Sequence, residues 1–156
     1  MSVSVRSIGP QDRDRIRVLM VEHWGPEIAV AHGVAYEPAN LPGFVASDGD
    51  RVVGLVTYQV EGDACEIVTI DAYERRRGIG TALVEAVRSL GHPRLWLMTT
   101  NDNIGAQRFY EHIGFRLVAV HEGAVARSRA LKPEIPLVGE GGMPMRDELE
   151  YELRQG

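Results

Sequence analysis

The segment Arg75–Thr81, Arg-Arg-Arg-Gly-Ile-Gly-Thr, combines three cationic side chains with two glycines. It lies between a β-branched run ending at Ile70 and a strongly amphipathic run, so it is expected to connect a strand to a helix. The first N–H groups of a helix have no intrahelical partner, and the helix dipole makes this end positive. Glycines let an anion approach the backbone, and arginines add charge-assisted contacts. The residues predict a phosphate-binding turn, although a solvated arginine run before an ordinary helix stays equally open.

Two common phosphate loops do not fit this segment. A Walker loop requires Gly-Lys followed by Ser or Thr, and the segment contains no lysine. A dinucleotide-binding fingerprint requires a third small residue where this chain has Leu83, and it follows the first strand of a βαβ unit. Another class of phosphate site is therefore indicated.

Arg75, Gly78 and Gly80 have the spacing of a pyrophosphate motif, and in this the chain resembles the GNAT superfamily of acetyl-CoA-dependent N-acetyltransferases. A second block reproduces a further pattern of that family at its usual spacing: Asn103, Ala106, Phe109, Tyr110, Gly114 and Phe115. The preceding stretch Thr99–Asn103 is also similar to the family. Both blocks occur in the family's order and on the expected element types. The order of the elements from Ser2 to His121 is also similar to that of the family fold, so the resemblance covers about three quarters of the chain.

The resemblance implies a sheet whose fourth and fifth strands, here Ala64–Ile70 and Leu95–Met98, splay apart around the cosubstrate acetyl-CoA. Backbone groups of Val68 and Ile70 would pair with the pantetheine arm. The pyrophosphate would lie on the glycine-rich turn. By this resemblance the other cofactor-binding residues are Arg75, Arg76, Arg77, Gly78, Ile79, Gly80, Thr81, Asn103, Ala106 and Tyr110.

Acetyl transfer to an amine requires three groups. A primary amine with a pKa of about 10 is protonated at neutral pH, so a base or a chain of waters must remove its proton. A fixed donor, such as a backbone N–H of the fourth strand, must stabilise the tetrahedral oxyanion. The leaving thiolate needs a proton, and the resemblance assigns its delivery to Tyr110. The alternative role of Tyr110 is to pack its helix against the sheet.

Glu66 is the candidate base because it is the one carboxylate inside an otherwise apolar strand. Regular alternation would place its side chain on the same face as Val68 and Ile70. A glutamate near a strand start can instead face water, and members of the family differ in where the base lies. Cys65 would point to the opposite face as a small core residue, because direct attack needs no covalent thiol intermediate.

Recognition of the acceptor is expected to fall to the segment between the first two strands, as the resemblance implies. The candidate substrate residues there are Trp24, His32 and Tyr36, with His23 and Glu37 close to them in the sequence. Each of them could equally serve in packing. The expected partner is a primary amine, either on a small molecule or on a protein or peptide.

The composition excludes several other classes. The 156 residues contain 17 Lys plus Arg and 22 Asp plus Glu, a net charge of −5 that disfavours nucleic acid or an anionic membrane as the main partner. No apolar run has the length of a signal peptide or a membrane span. One cysteine excludes an intramolecular disulfide, and no Cys/His cluster has zinc-site spacing. We expect a cytoplasmic protein without a metal.

Hydrophobic periodicity predicts the elements that carry these residues. A strand leads into a helix ending at Trp24-Gly-Pro26, and Ile28–Val30 could form a short second helix. Three β-branched runs separated by Asp48-Gly-Asp50 and Glu61-Gly-Asp63 predict an antiparallel meander. Apolar residues then recur at three and four between Gly78 and Leu90, the pattern of an amphipathic helix.

The remaining pattern predicts a helix over Asn103–Ile113 and strands over Phe115–His121 and Leu149–Leu153. In the last strand, apolar residues alternate with glutamates from Glu148 to Glu152, so one face should be packed and the other wet. The sum is an α+β (α/β) fold, a GNAT-like mixed and mostly antiparallel sheet with helices on both faces. A single acetyltransferase domain is expected over residues 1–156.

Residues 123–146 do not fit this pattern, because they form a long stretch of irregular character before the last strand. Loops of this length are usually either functional or disordered, and we favour a function here. We expect this insertion to cover the acceptor end of the cleft, with Arg127, Arg129 and Lys132 near the acceptor. A homodimer contact is the competing role.

The predicted function is transfer of the acetyl group of acetyl-CoA to a primary amine, by direct attack in a ternary complex. One alternative is a non-catalytic module that senses acetyl-CoA or scaffolds a partner. Another is O-acyl or longer-acyl transfer on the same fold. Release of free CoA in the presence of amines would separate an enzyme from a sensor, and a deeper acyl pocket beside the fourth strand would indicate a longer acyl group.

Overall fold

The computed structural model describes residues 3–24, 29–32, 34–74 and 77–155. In chain order, its strands and helices are β1 (Ser4–Ser7), α1 (Arg13–Trp24), β2 (Ala29–Ala31), β3 (Val34–Tyr36), β4 (Gly43–Asp48), β5 (Arg51–Glu61), β6 (Ala64–Ala72), α2 (Ile79–Arg88), β7 (Arg94–Thr100), α3 (Ile104–His112), β8 (Arg116–His121), α4 (Ala124–Leu131) and β9 (Glu148–Arg154). This is the expected α+β class. The chain forms two compact units, the first of residues 1–29, 37–95 and 155–156, the second of residues 30–36 and 96–154.

In the first unit, β1, β4, β5 and β6 form an antiparallel sheet in that order. The turn between β4 and β5 has Gly49 at a φ of 62°, and the turn between β5 and β6 has Gly62 at 63°. Glycine adopts this left-handed conformation without the strain that a Cβ would add. The meander predicted from the two turn tripeptides is confirmed.

The two helices of the first unit pack on opposite faces of its sheet. Beneath α1, Ile16 and Met20 join Leu55 of β5 in a buried apolar cluster. On the other face α2 lies directly on the backbone of Gly54, where an added Cβ would be 2.5 Å from Cγ2 of Ile79. Gly54 and Leu55 are successive strand residues and so face opposite sides. Helices on both faces are thus confirmed for this unit.

In the second unit, β7, β9 and β8 lie side by side in that order, and β8 runs antiparallel to β9. Strands β2 and β3 form a small sheet of their own. The predicted short helix over Ile28–Val30 is wrong, because Val30 lies in β2, while Ile28 lies outside the described residues. A run of three apolar residues cannot offset the cost of nucleating a helix.

The insertion of residues 123–146 is more regular than expected. It contains α4, a 3₁₀ turn at Glu140–Gly142 and a bridge between Val138 and Pro144. The helix is hard to detect in the sequence because only Ala124, Val125 and Ser128 of its eight residues are buried. The expectation of an irregular loop is therefore wrong for its first third.

The alternation in β9 is confirmed on one face only. Leu149 and Tyr151 are buried as predicted, at 8% and 1% exposure. Glu148, expected on the wet face, is also buried, with 4% of its surface exposed. The cause is tertiary, because the backbone N–H of His32 and the hydroxyl of Ser128 both reach its carboxylate.

Candidate functional site

The N-terminus of α2 is built as an open turn. Gly78 precedes the helix at φ 69° and ψ 19°, a left-handed conformation that favours glycine. No side chain of the described residues caps this end. The N–H groups of Ile79, Gly80 and Thr81 precede the first bond of the helix, which runs from the Ala82 N–H to the Gly78 carbonyl. A Cβ added at Gly78 would meet nothing within 4 Å, so the space beside this glycine is open among the described residues.

Of the three arginines before this turn, Arg77 is described, whereas Arg75 and Arg76 lie outside the described residues. The Arg77 guanidinium pairs with Glu74 at 2.6 Å and with Asp48 at 3.1 Å, and its side chain is 13% exposed. The hydrogen bond to Glu74, together with the attraction of both carboxylates, raises the pKa of Arg77. Two carboxylates thus engage the Arg77 guanidinium, and the contact of this side chain with a phosphate stays a prediction.

Strand β6 contains a bulge that changes which residues share a face. Thr57 of β5 is paired with Thr69 and the next residue, Tyr58, with Ile67, so Val68 has no partner in the β5 register. The predicted common face of Glu66, Val68 and Ile70 is wrong for Glu66, because an extra residue reverses the alternation beyond the bulge.

Glu66 consequently shares its face with a buried polar pair. It lies opposite Gln59, two residues along β5 from Thr57, whose hydroxyl is 2.7 Å from the hydroxyl of Thr69. Glu66 is 3% exposed, and both threonines are buried. Thr57 and Gln59 lie on the same side of β5 as Leu55, and this side faces α1. Glu66 therefore lies on the α1 side of the sheet. The glutamate is thus an interior group rather than a wet strand-end residue.

Cys65 lies on the opposite face of β6 from Glu66, as predicted. It is fully buried, and burial together with the neighbouring carboxylate of Glu66 raises the pKa of its thiol to about 11. A thiol in this state is protonated and unreactive at neutral pH. The structure agrees with the core role expected for it.

The second sequence block forms the start and the packed face of α3. Asn103 is the N-cap, and its Oδ1 accepts a hydrogen bond from the Ala106 N–H at 3.1 Å. Tyr110 is 5% exposed, with ring centroids 5.5 Å from Phe115 and 6.5 Å from Tyr151. Tyr151 donates its own hydroxyl to Glu111 at 2.9 Å. Asn103 therefore caps a helix, and Tyr110 packs in an aromatic cluster. Their roles in cofactor binding and catalysis stay predictions.

The two residues before this cap hold the insertion in place, a role that the sequence reasoning missed. Oδ1 of Asn101 accepts the N–H groups of Arg146 and Asp147 at 2.9 and 3.0 Å, and its Nδ2 donates to the Pro144 carbonyl at 2.9 Å. Asp102, 5% exposed, accepts the Glu140 N–H at 3.1 Å. The run Asn-Asp-Asn was the available signal, because such side chains commonly bond nearby backbone groups.

The predicted substrate residues His32 and Tyr36 are close together in the second unit. The Tyr36 hydroxyl is 3.1 Å from Nε2 of His32, and the His32 ring lies 5.2 Å from the ring of Trp96 in β7. The backbone N–H of His32 donates to Oε1 of Glu148 at 2.8 Å. The side chains of Trp24 and His23 lie outside the described parts.

A small pocket of about 100 Å³ opens beside His32. His32, His121, Ala124, Arg127 and Glu148 line it. The pocket brings one of the three predicted basic residues of the insertion next to a predicted substrate residue.

The other two basic residues of the insertion have different positions. Arg129 donates to the carbonyls of Ile135 and Pro136, at 3.0 and 2.8 Å, and so folds the insertion onto itself. Lys132 is 8% exposed, and burial lowers the pKa of its ammonium. The expectation that Arg129 and Lys132 point to an acceptor is not supported by these contacts.

Two features are absent from the described residues. They contain no group of three His, Cys, Asp or Glu side chains arranged to hold a metal ion. No helix among them is both long and apolar enough to cross a membrane.

Comparison with known proteins identifies the class. A sequence model of the Acetyltransferase (GNAT) family matches residues 13–115. The uncharacterized protein YxbD of Bacillus subtilis (strain 168) is 41% identical over 143 residues, which are 88% of this chain and 89% of YxbD. The chain therefore belongs to the GNAT acetyltransferase family.

Solved structures agree on the fold. Arabidopsis thaliana Naa50, in complex with the bisubstrate analogue CoA-Ac-MVNAL, superposes with a TM-score of 0.72 at 16% identity, over 99% of this chain and 100% of that chain. A Bacillus subtilis acetyltransferase in complex with CoA gives 0.66 at 18% identity, over 99% and 98%. The expected GNAT-like fold is confirmed, and these two relatives hold CoA or a CoA conjugate.

Proposed function

We propose that this chain transfers the acetyl group of acetyl-CoA to a primary amine, by direct attack in a ternary complex. The observation that carries the proposal is the N-terminus of α2. It begins at a left-handed glycine, lacks a side-chain cap among the described residues and has three N–H groups that precede its first intrahelical bond. This is the arrangement that binds the diphosphate of a nucleotide. The family of the chain and its CoA-bound structural relatives support the same ligand.

In this proposal the first unit holds the cofactor through its backbone. The N–H groups of Ile79, Gly80 and Thr81 bind the pyrophosphate, with Arg75 and Arg76 adding positive charge. Val68 and Ile70 of β6 offer backbone groups to the pantetheine arm. Val68 has no partner in the β5 register, and this supports the assignment, because a bulge turns backbone groups away from the regular ladder. Asn103 and Ala106 are proposed to complete the cofactor contacts.

The proposed chemistry uses two side chains and one backbone donor. Glu66 accepts a proton from the ammonium, directly or through water, which frees the nitrogen lone pair to attack the thioester carbonyl. A backbone N–H at the Val68 bulge stabilises the resulting oxyanion. As the carbon–sulfur bond breaks, Tyr110 donates its phenolic proton to the thiolate, and the second proton that the nitrogen loses on becoming an amide returns to the phenolate. A phenol of pKa about 10 is an adequate donor to a thiolate whose acid has a pKa near 8.5.

The test is release of free CoA when acetyl-CoA is mixed with a panel of amines. Tyr110→Phe should lower kcat on the order of 100-fold, as expected for loss of a general acid. Its affinity for acetyl-CoA, measured by calorimetry, should not change. Tyr151→Phe is the matched control, because it removes the hydroxyl of the neighbouring ring in the same aromatic cluster.

Two results would contradict the proposal. If the protein binds acetyl-CoA but acetylates none of the amines, a sensor or scaffold becomes the better explanation. If hydroxyl acceptors or longer acyl-CoA substrates react faster than acetyl-CoA with amines, the protein is an O-acyl or longer-acyl transferase.

Four broader assignments belong to the same proposal. We propose a single catalytic domain, supported by the family match at residues 13–115, which includes residues of both units. The acceptor is a small amine or a peptide amine. We propose a cytoplasmic location, supported by the one cysteine being a buried thiol. A homodimer contact is proposed as the competing role of the insertion.

A further inference from the structure

The insertion is held by two consecutive side chains, Asn101 and Asp102, which come directly before Asn103, the N-cap of α3. The Asn101 side chain makes three hydrogen bonds of 2.9 to 3.0 Å to backbone groups of residues 144–147. Oδ2 of Asp102 accepts the Glu140 N–H at 3.1 Å. Two parts of the insertion are therefore attached to one short turn.

The same turn sets the position at which α3 begins. The Ile104 N–H donates to the Asp102 carbonyl at 3.0 Å. Nε2 of Gln107, one turn further along the helix, donates to the Asn101 carbonyl at 3.1 Å. Asn103 lies between these two attachments. A displacement of Asn101 and Asp102 would therefore move Asn103 and the first turn of the helix with it.

The contact between Asp102 and the insertion is both tight and costly. Asp102 is 5% exposed, and a Cβ added at Gly139 would overlap its Oδ2. Its Oδ1 is buried and has no hydrogen-bond partner among the described residues. Burial of a carboxylate costs free energy, which the single N–H of Glu140 offsets only in part. Opening of the insertion would return Asp102 to water, so this carboxylate opposes the closed position.

Two neighbouring side chains thus act on the insertion in opposite directions. The three hydrogen bonds of Asn101 favour the closed position, and the buried carboxylate of Asp102 opposes it. The opposition reduces the free-energy difference between the closed and open forms, and a ligand that binds one form better shifts the population towards that form. The helix that starts from this turn contains Asn103 and Ala106, the two residues proposed to complete the cofactor contacts.

We propose that Asp102 is a positioning residue that couples the insertion to cofactor binding. The closed insertion holds the start of α3 in the position in which Asn103 and Ala106 contact acetyl-CoA. The inference rests on the proposed function and goes beyond it, because no residue of the insertion is assigned to the cofactor. By linkage, the factor by which closure tightens CoA binding equals the factor by which CoA stabilises closure.

Hydrogen exchange in the unaltered protein is the first test. Saturating CoA should slow the exchange of the Glu140 and Asp147 amides by roughly 10-fold or more, although neither residue is assigned to the cofactor. The Gly91 amide is the control, because it lies beyond the C-terminal end of α2, opposite the proposed phosphate turn. Its exchange rate should not change. A purely structural role for Asp102 would leave all three amides insensitive to CoA.

Gly139→Ala tests the coupling from the side of the insertion, without changing a residue assigned to the cofactor. Its Cβ would overlap the Asp102 carboxylate, so the variant should raise the calorimetric Kd for CoA roughly 5- to 20-fold. Val138→Ala is the matched control, because this exposed neighbour lies in the same insertion, and its Kd should not change. A purely structural role for the contact would lower the urea midpoint of Gly139→Ala and leave the Kd unaltered.

Asp102→Asn tests the opposition between the two side chains. The amide oxygen can still accept the Glu140 N–H, while the buried charge is removed. Without CoA, the Glu140 amide should therefore exchange roughly 5- to 10-fold more slowly in this variant and faster in Asn101→Ala. Asp63→Asn is the control for charge removal, because Asp63 is exposed in the β5–β6 turn. Shifts of the same sign in Asp102→Asn and Asn101→Ala would overturn the proposed balance.

The outcomes separate this inference from the proposed function. If CoA binds but leaves the exchange of the Glu140 and Asp147 amides unchanged, or if Gly139→Ala and Val138→Ala bind CoA equally well, the coupling is overturned while the proposed function stands. If CoA protects the insertion but no amine is acetylated, the coupling stands and the proposed transfer fails. If CoA does not bind the unaltered protein, both are overturned. If Gly139→Ala does not fold, the exchange experiment decides alone.

Discussion

Replacing Asn101 by alanine should release the C-terminal part of the insertion. The Asn101 side chain makes three hydrogen bonds to backbone groups of Pro144, Arg146 and Asp147. The separate bond from the Asn101 N–H to the Asp147 carbonyl, at 3.0 Å, survives the substitution. The variant therefore isolates what the side chain contributes.

The magnitude follows from these three bonds. Each intramolecular hydrogen bond contributes about 0.5 to 1.5 kcal/mol, so three could contribute up to about 4 kcal/mol. Two of them, those to Pro144 and Arg146, are exposed, and water can replace Asn101 there. We therefore expect the free energy of unfolding or of local opening to fall by about 2 kcal/mol.

Hydrogen exchange measures the free energy of local opening, and urea denaturation measures the free energy of global unfolding. If the insertion opens locally, the amides of Arg146 and Asp147 should exchange roughly 30-fold faster, because 1.4 kcal/mol corresponds to tenfold. If it unfolds with the rest of the chain, the urea midpoint should fall. Asn40→Ala is the control, since within the described parts of the chain the exposed Asn40 amide bonds only to the side chains of Glu37 and Arg17. Equal exchange rates and urea midpoints in the two variants would refute the reasoning.

Three further predictions concern single contacts. Asn103→Ala should lower the free energy of unfolding by about 1 kcal/mol, because it removes the cap on the Ala106 N–H, while Asn103→Asp should largely retain it. The hydrogen bond from Arg6 lowers the pKa of Asp12 to about 2, below its usual 3.8. The folded state is therefore stabilised by about 1 to 2 kcal/mol above pH 4, and this contribution is lost as the pH falls towards 2. When the free energy of unfolding is measured against pH, Arg6→Ala should lose less stability in acid than the unaltered protein. Cys65 should resist alkylation by iodoacetamide at pH 8 in the native protein and react stoichiometrically in urea, given its burial and its pKa of about 11; rapid labelling of the native thiol would contradict this.

The local parts of the fold could be predicted because their signals lie in neighbouring residues. The three- and four-residue recurrence predicts α2 over Gly78–Leu90, and the helix is found at Ile79–Arg88. Turn tripeptides around Gly49 and Gly62 predict the meander, since left-handed φ values favour glycine. The resemblance to the family rested on two such local blocks and was confirmed by the family match.

The sequence predicted which residues are candidates for the site, but not which way their side chains face or what they contact. Glu66 was selected because it is a lone carboxylate in an apolar strand, and it is indeed buried. Its face was predicted wrongly, because the bulge at Val68 is a property of pairing with β5 rather than of β6 alone. Arg77 was selected for its charge, but the carboxylates that hold it, Asp48 and Glu74, could not be identified before the turn was seen.

The amino-acid sequence by itself determined most of the elements, the family and the glycine-started helix, because each depends on periodicity or spacing within about a dozen residues. Only the tertiary structure decided that Glu148 is buried. Alternation predicted a wet glutamate, but the strand pattern carries no information about what covers a face. The His32 N–H that reaches Glu148 is 116 residues away in the chain, and the Ser128 hydroxyl is 20 residues away. Burial of a charged group is set by such distant contacts, so the chemistry of the pocket emerged only once the chain had folded.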